Sequence, residues 1–236
     1  GAAGERGDLH EDALLDLAGV AELGQREGGA GREGFAGALA QVGVGDHRLR
    51  REAFEVGGRA DVLRCRGCGQ QDEKAEGYTW YPQSFMAPFA ANEPYLGRSL
   101  ANHAALVDGV VAAGYPAERI VLGGFSQGAC LTAETLIRNP RRYGAAAILT
   151  GGLIGPPGTT WPVGVALAGT PVYLTGSEID PHVPPARARE TARVLGECGA
   201  VVELRLYADR PHVVTPEELA RTRIYLRAVA EGRALA

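Results

Sequence analysis

Three residue types suited to nucleophilic catalysis stand in order along the chain: Ser126, Asp180 and His212. Gly124-Phe125-Ser126-Gln127-Gly128 spells G-x-S-x-G, and with only four serines in the chain (Ser84, Ser99, Ser126, Ser177) chance is a poor explanation of the match. Glycines around the serine allow the strained strand-to-helix turn that projects its hydroxyl. A serine hydroxyl is a weak nucleophile until a base takes its proton, and a third group must hold that base in one tautomer. Asp180, in Gly176-Ser177-Glu178-Ile179-Asp180-Pro181-His182, and His212, in Asp209-Arg210-Pro211-His212, supply those types after the serine. Glu178 and Asp209 are alternatives for the acid, and His182 for the base. His103 reads as a surface or packing residue, and His10 and His47 fall in unpatterned text.

The elements that must position these residues are legible from periodicity. Residues 98–113 predict a helix stopped by Gly114, and 119–124 a buried strand entering the serine turn. Residues 127–138 predict the helix leaving it, ended by Asn139-Pro140, with its N-terminal amides aimed at the site. Strands follow at 145–150, 171–175 and 201–207, with helices from Pro184-Pro185 to Glu197 and from Pro216 to Val229. Strands alternating with helices imply an α/β fold with a mostly parallel sheet covered on both faces. Asp180 and His212 then follow strand carboxyl ends on the edge that carries Ser126.

Composition sets the bounds. The 236 residues carry a net charge of −4, which provides no footprint for nucleic acid. Residues 143–177 contain no Asp, Glu, Lys or Arg, but Pro156, Pro157, Pro162 and Pro171 interrupt them, so two buried strands and a loop are expected and no stable membrane insertion. The acidic start, Gly1 to Asp16, lacks the basic and apolar regions of a signal peptide, and the expectation is a soluble, cytoplasmic chain. Cys65 and Cys68 form a CxxC with no second pair, since Cys130 and Cys198 are isolated, and they read as unpaired thiols in a loop; no metal site is expected, and a metal- or anion-binding appendage at 47–68 is the weakest reading of that segment. The sequence says nothing of oligomeric state.

Four segments together look like the bacterial phospholipase/carboxylesterase family of α/β-hydrolases, which includes acyl-protein thioesterases. They are Tyr78-Thr-Trp-Tyr-Pro-Gln-Ser-Phe-Met-Ala-Pro88, Gly124-Phe-Ser-Gln-Gly-Ala129, Asp180-Pro-His-Val-Pro184 and Pro211-His212, and the likeness covers roughly residues 77–230. It implies Ser126 as nucleophile, Asp180 as acid, His212 as base, and the Gln127 amide as an oxyanion donor. It also implies that Trp80, Phe85 and Met86 lie near an acyl pocket, against a plain packing role for the same aromatics. The activity implied is cleavage of carboxylic esters or thioesters through an acyl-enzyme, with no metal or organic cofactor.

Residues 1–76 depart from that pattern. All 14 prolines and all 8 tyrosines lie at or after Tyr78, whereas the first 77 residues hold 17 of the 34 glycines, 15 acids and 10 bases. A helix over residues 11–23 is the one respectable element; residues 54–56 and 61–63 are too short to trust as strands, and the Val/Ile-rich runs of a buried sheet are absent. The His-Gly-x-Gly turn that in this family gives the second oxyanion amide is also missing. The segment reads either as divergent native text, largely disordered or helical, or as a frame-shifted reading joined to hydrolase sequence near Gly77, and the second explains the abrupt change better. The domains expected are thus 1–76, atypical, and 77–236, an α/β-hydrolase. The alternative function is a catalytically impaired scaffold without its first oxyanion turn.

Overall fold

The structure, a computed structural model, describes residues 37–43, 60–66, 71–72, 77–112 and 114–235. Strands β1 (Gly37–Gly43), β2 (Ala60–Arg66), β5 (Ile120–Phe125), β6 (Ala145–Leu149), β7 (Pro171–Ser177) and β8 (Val201–Tyr207) form one sheet in the order β2-β1-β5-β6-β7-β8. Every pairing in it is parallel. Two short strands, β3 (Gln71–Asp72) and β4 (Gly77–Tyr78), make a separate antiparallel pair. Strand β2 lies on one side of β1 and β5 on the other, so the strand order reverses at β1 while all strands stay parallel. In open parallel sheets such a reversal opens a crevice at the strand carboxyl ends.

Among the described residues four α-helices cover the sheet: α1 (Tyr95–Ala112), α2 (Gln127–Arg138), α3 (Pro185–Glu197) and α4 (Pro216–Glu231). Strand alternation assigns them to faces. Ile120, Leu122, Ala146, Ile148, Val172 and Leu174 pack with Val107 and Val110 of α1, Ala133 and Leu136 of α2, and Val194 and Leu195 of α3. The intervening Val121, Ala145, Ala147, Leu149 and Tyr173 pack with Tyr225 and Val229 of α4 on the opposite face. A period of two along each strand thus becomes two apolar layers around one sheet.

Local signals account for the helix ends. Helix α1 buries Leu96, Ser99, His103, Val107 and Val110, one stripe at helical spacing. It starts at Tyr95, earlier than Arg98, because the Pro94 carbonyl accepts from Arg98 N–H (3.1 Å) and a proline in the first turn forfeits no helical donor. Helix α4 opens on a capping box: the Glu218 N–H donates to Thr215 Oγ1, while the Glu218 carboxylate accepts from Thr215 N–H (2.8 Å). Gly232, at φ 65°, closes it in the left-handed conformation.

The charge-free stretch resolves into β6, an irregular connection and β7, and among the described residues no helix is long and apolar enough to cross a membrane. Two segments of the first third behave differently from expectation. Gly37–Gly43 and Ala60–Arg66 are strands, with β1 paired to β5 and β2 to β1, and Cys65 lies in β2 rather than in a loop. Strand propensity is weak next to the chance to complete the backbone ladder of β5, and that ladder makes no demand for Val or Ile. The helix expected over 11–23, the strand rejected over 54–56, Cys68, His10 and His47 lie outside the described residues.

Candidate active site

Ser126 stands between the end of β5 and the start of α2 with φ 54° and ψ −119°. It is one of two non-glycine residues at positive φ among the described residues, and such strain persists only where its surroundings enforce it. Enforcement is visible on both sides: Ser126 N–H donates to the Leu149 carbonyl (3.1 Å), and the Ser126 carbonyl accepts from Cys130 N–H (3.0 Å). A Cβ at Gly124 would lie 2.4 Å from the Gly128 carbonyl carbon and oxygen, so strand and helix meet this closely only with glycine there. Gln127 heads α2, where backbone amides have no intrahelical acceptor and the helix dipole favours negative charge.

The Gln127 side chain is also engaged. Its Oε1 accepts from Thr79 Oγ1 (2.8 Å) and Trp80 N–H (3.0 Å), and its Nε2 donates to the Tyr81 carbonyl (3.2 Å). One amide thereby pins the 79–81 segment against the serine turn. These side-chain roles of Gln127 are not legible in the sequence, because no local signal announces a partner 46 to 48 positions away.

Asp180 lies in the turn after β7. Its Oδ1 accepts from the N–H groups of His182 (2.8 Å) and Val183 (2.9 Å), a turn in which the side chain replaces a backbone carbonyl. Its Oδ2 is 2.8 Å from His212 Nδ1, and His212 Nε2 is 2.9 Å from Ser126 Oγ. A carboxylate only accepts, so Nδ1 carries the proton and the bare Nε2 accepts from the serine hydroxyl. Burial pushes the Asp180 carboxyl up, but the Val183 and His182 amides and His212 outweigh it and hold the group below its usual range. For His212 burial is the larger influence and lowers the imidazole pKa, with Asp180 opposing it. The imidazole is therefore held neutral, with Nε2 able to accept a proton.

The alternatives have other surroundings. Glu178 is exposed and ion-paired to Arg189, and Asp209 is exposed. The exposed His182 sets its ring edge-on to His212, with centroids 4.8 Å apart, while the Phe125 ring lies 4.9 Å from the same imidazole. His103 is buried in α1 with Nδ1 2.6 Å from Thr135 Oγ1, so it is a packing residue and not a surface one.

Trp80 and Phe85 are buried with Tyr81, Leu96, Cys130, Leu131, Ile154 and Val183, and Met86 packs against that cluster partly exposed. The cluster touches the acid turn through Val183 and the serine helix through Cys130 and Leu131. Strand β1 lies beside β5, and the residues after Gly43 lie outside the described ones.

Two buried ionic arrangements brace the surrounding loops. Fully buried Glu134 accepts from Ile154 N–H (2.8 Å), Trp161 Nε1 (3.2 Å) and Arg138 Nε (2.6 Å), while Arg187 donates to the carbonyls of Leu153 (2.5 Å) and Pro156 (3.3 Å). Together they hold the loop that leaves β6. On the other side, buried Arg210 and Glu218 underlie the His212 turn. A charged residue in a polar stretch looks solvated in the sequence, so none of these four was identifiable there.

A model of the phospholipase/carboxylesterase family matches residues 68–230. Acyl-protein thioesterase 1 of Eremothecium gossypii is 31% identical over 128 residues, covering 52% of this chain and 53% of that protein. Acyl-protein thioesterase 1 of Gibberella zeae is 32% identical over 124 residues, again covering 52% and 53%. The chain thus spans about half the length of the curated relatives it matches. Among solved structures, a phospholipase/carboxylesterase from Dyadobacter fermentans superposes with a TM-score of 0.65 at 29% identity, over 85% of this chain and 94% of that one. The Bacillus cereus carboxylesterase, at 18% identity and a TM-score of 0.62 over 84% and 92%, shares the fold.

Proposed function

Because the chain belongs to the phospholipase/carboxylesterase family, we propose that it is a serine hydrolase that cleaves carboxylic esters or thioesters through an acyl-enzyme on Ser126. The observation that carries this reading is the single imidazole of His212 bridging Asp180 at 2.8 Å and Ser126 at 2.9 Å. As Ser126 Oγ attacks the acyl carbon, His212 Nε2 takes its proton and Asp180 stabilises the imidazolium that forms. The negative charge arising on the carbonyl oxygen accepts from the Gln127 amide at the head of α2. Collapse of the intermediate expels the alcohol or thiol, protonated by His212. Water activated by the same imidazole then releases the acid and restores Ser126.

The acyl chain is assigned to the cluster around Trp80, Phe85 and Met86, which adjoins both the serine helix and the acid turn. Residues 77–236 form the hydrolase domain, with β1 and β2 drawn from residues 1–76. The substrate is a small-molecule ester or thioester met in the cytoplasm.

Hydrolysis of para-nitrophenyl butyrate by the wild type and Ser126→Ala tests the reading, with fluorophosphonate labelling beside it. The variant is expected to lose about 10⁴-fold or more in kcat and to lose the label. Equal rates and no labelling of the wild type would leave a hydrolase-shaped scaffold without turnover.

A further inference from the structure

The turn that carries His212 has little backbone structure of its own. Between the end of β8 and the Thr215 cap, Val213 N–H donates to the Pro211 carbonyl (2.8 Å), a three-residue turn with His212 at its centre. Pro211 has no N–H to contribute, and Val213 is exposed. A catalytic base nevertheless has to stay within about half an ångström of its productive position.

We propose that Arg210 is the positioning residue of this turn, its buried guanidinium holding the His212 backbone in the place that lets the imidazole reach both Asp180 and Ser126. Arg210 Nη1 donates to the carbonyls of Pro211 (3.3 Å) and Val213, the two residues that flank His212. Its Nη2 donates to Thr150 Oγ1 (2.8 Å). Its Nε lies 3.8 Å from Glu218 Oε2, and its guanidinium stands 5.1 Å from the centre of the Tyr207 ring. The contacts beyond the turn end on fixed parts of the fold. Thr150 follows β6 at φ 54°, with its N–H donated to the Thr175 carbonyl (3.2 Å) and Oγ1 (3.1 Å) of the neighbouring strand. Glu218 is locked in the capping box of α4. One planar fork therefore ties a loosely bonded turn to the sheet and to a helix start, which the single ammonium of a lysine does not reproduce.

The fork also brings a buried positive charge to the base. The groups facing His212 are Asp180 and His182 from the turn after β7, Ser126 and the Phe125 ring from the serine turn, and Arg210 from its own turn. Behind Arg210 stand Tyr207 of β8, Thr150 and Glu218 of α4. Burial first, and then His182 and the Arg210 guanidinium, oppose protonation of His212, while Asp180 favours it. Removing the Arg210 charge should raise the His212 pKa; exchanging it for another cation should not.

The proposal rests on the ester-hydrolase reading, and its test separates the two. Arg210→Met and Arg210→Lys are compared with the wild type by para-nitrophenyl butyrate kinetics across pH, thermal melting, and NMR titration of labelled histidine. Arg210→Met is expected to lower kcat about 10²-fold with KM little changed, the scale of a misplacement near 1 Å. Its acid limb should move to higher pH, and the His212 resonance with it. Arg210→Lys is expected to lower kcat by about tenfold while leaving limb and resonance at the wild-type pH. A folded Arg210→Met with wild-type kcat, or an unmoved His212 titration in that variant, overturns the proposal. If Arg210→Met does not fold, wild-type kcat in Arg210→Lys does the same. A wild type that neither turns over the ester nor takes the fluorophosphonate overturns the hydrolase reading instead, and the NMR titration still decides the placement of His212.

Discussion

Two histidines in this molecule are withdrawn from water, and they end with different capacities. His103, in α1, is 1% exposed, and its Nδ1 meets Thr135 Oγ1 at 2.6 Å. Thr135 Oγ1 donates its own hydrogen to the Leu131 carbonyl (2.8 Å), so the imidazole must be the donor between them. No carboxylate offsets the burial, and the pKa falls to about 4. His212 is partly exposed and its pKa is also lowered by burial, but Asp180 on Nδ1 opposes that lowering. Burial alone makes a histidine inert. Burial balanced by a carboxylate, with Nε2 directed at a hydroxyl, makes one that can take a proton and return it.

The comparison breaks most sharply at Asp180. Asp180→Asn preserves the shape of the turn but removes the acceptor that fixes the Nδ1–H tautomer, leaving His212 closer to the condition of His103. A fall in kcat of about 10⁴-fold is expected in ester hydrolysis, with melting temperature little changed. A loss of less than tenfold would mean that the carboxylate does not set the tautomer.

At His103 the expected effect is on stability. Its folded pKa of about 4 lies below the ordinary 6.5, so the unfolded chain binds the extra proton between those values. Stability from this residue is complete above pH 6.5 and is lost as pH falls toward 4, by about 3 kcal/mol in all. Urea unfolding of the wild type and His103→Leu at pH 7 and pH 4.5 measures it. The variant should show a shallower loss, with kcat unchanged at pH 7; parallel losses would refute the assignment.

For His212 the same burial appears in catalysis. The acid limb of kcat/KM should lie below the ordinary histidine value of 6.5, because a base with lowered pKa stays neutral further into acid. A limb above 6.5 would mean that Asp180 outweighs burial. The smallest effect concerns the helix start beneath the His212 turn. Thr215→Ala removes the side chain that accepts from Glu218 N–H and should cost about 1 kcal/mol in urea unfolding.

The serine turn, and the positions of the Asp180 and His212 that the structure brings to it, were legible because each had a local cause. A Cβ at Gly124 would meet the Gly128 backbone at 2.4 Å, so the turn needs glycine there, and Asp180 and His212 each follow a short strand bounded by turn residues. Helix α2 was expected at 127–138 and is found there, since Asn139-Pro140 ends it plainly. Strands β1 and β2 were not legible. Their pairing with β5 and with each other is made by backbone groups, which every sequence possesses. The roles of Gln127 Oε1, Glu134 and Arg210 were equally hidden, for each depends on partners brought from other elements.

The amino-acid sequence by itself determined the residue types on hand, a serine in a glycine-flanked turn with carboxylates and histidines in order behind it, and the alternation of strands and helices that carries them. Those follow from periods of two and 3.6 and from glycine and proline, all properties of a few neighbouring residues. Tertiary structure alone decided which acid and which histidine meet, across separations of 32 and 86 residues, and which buried charges hold them there. A hydrogen bond is settled within a few tenths of an ångström, and at such separations that precision comes from packing the elements together, not from any one of them.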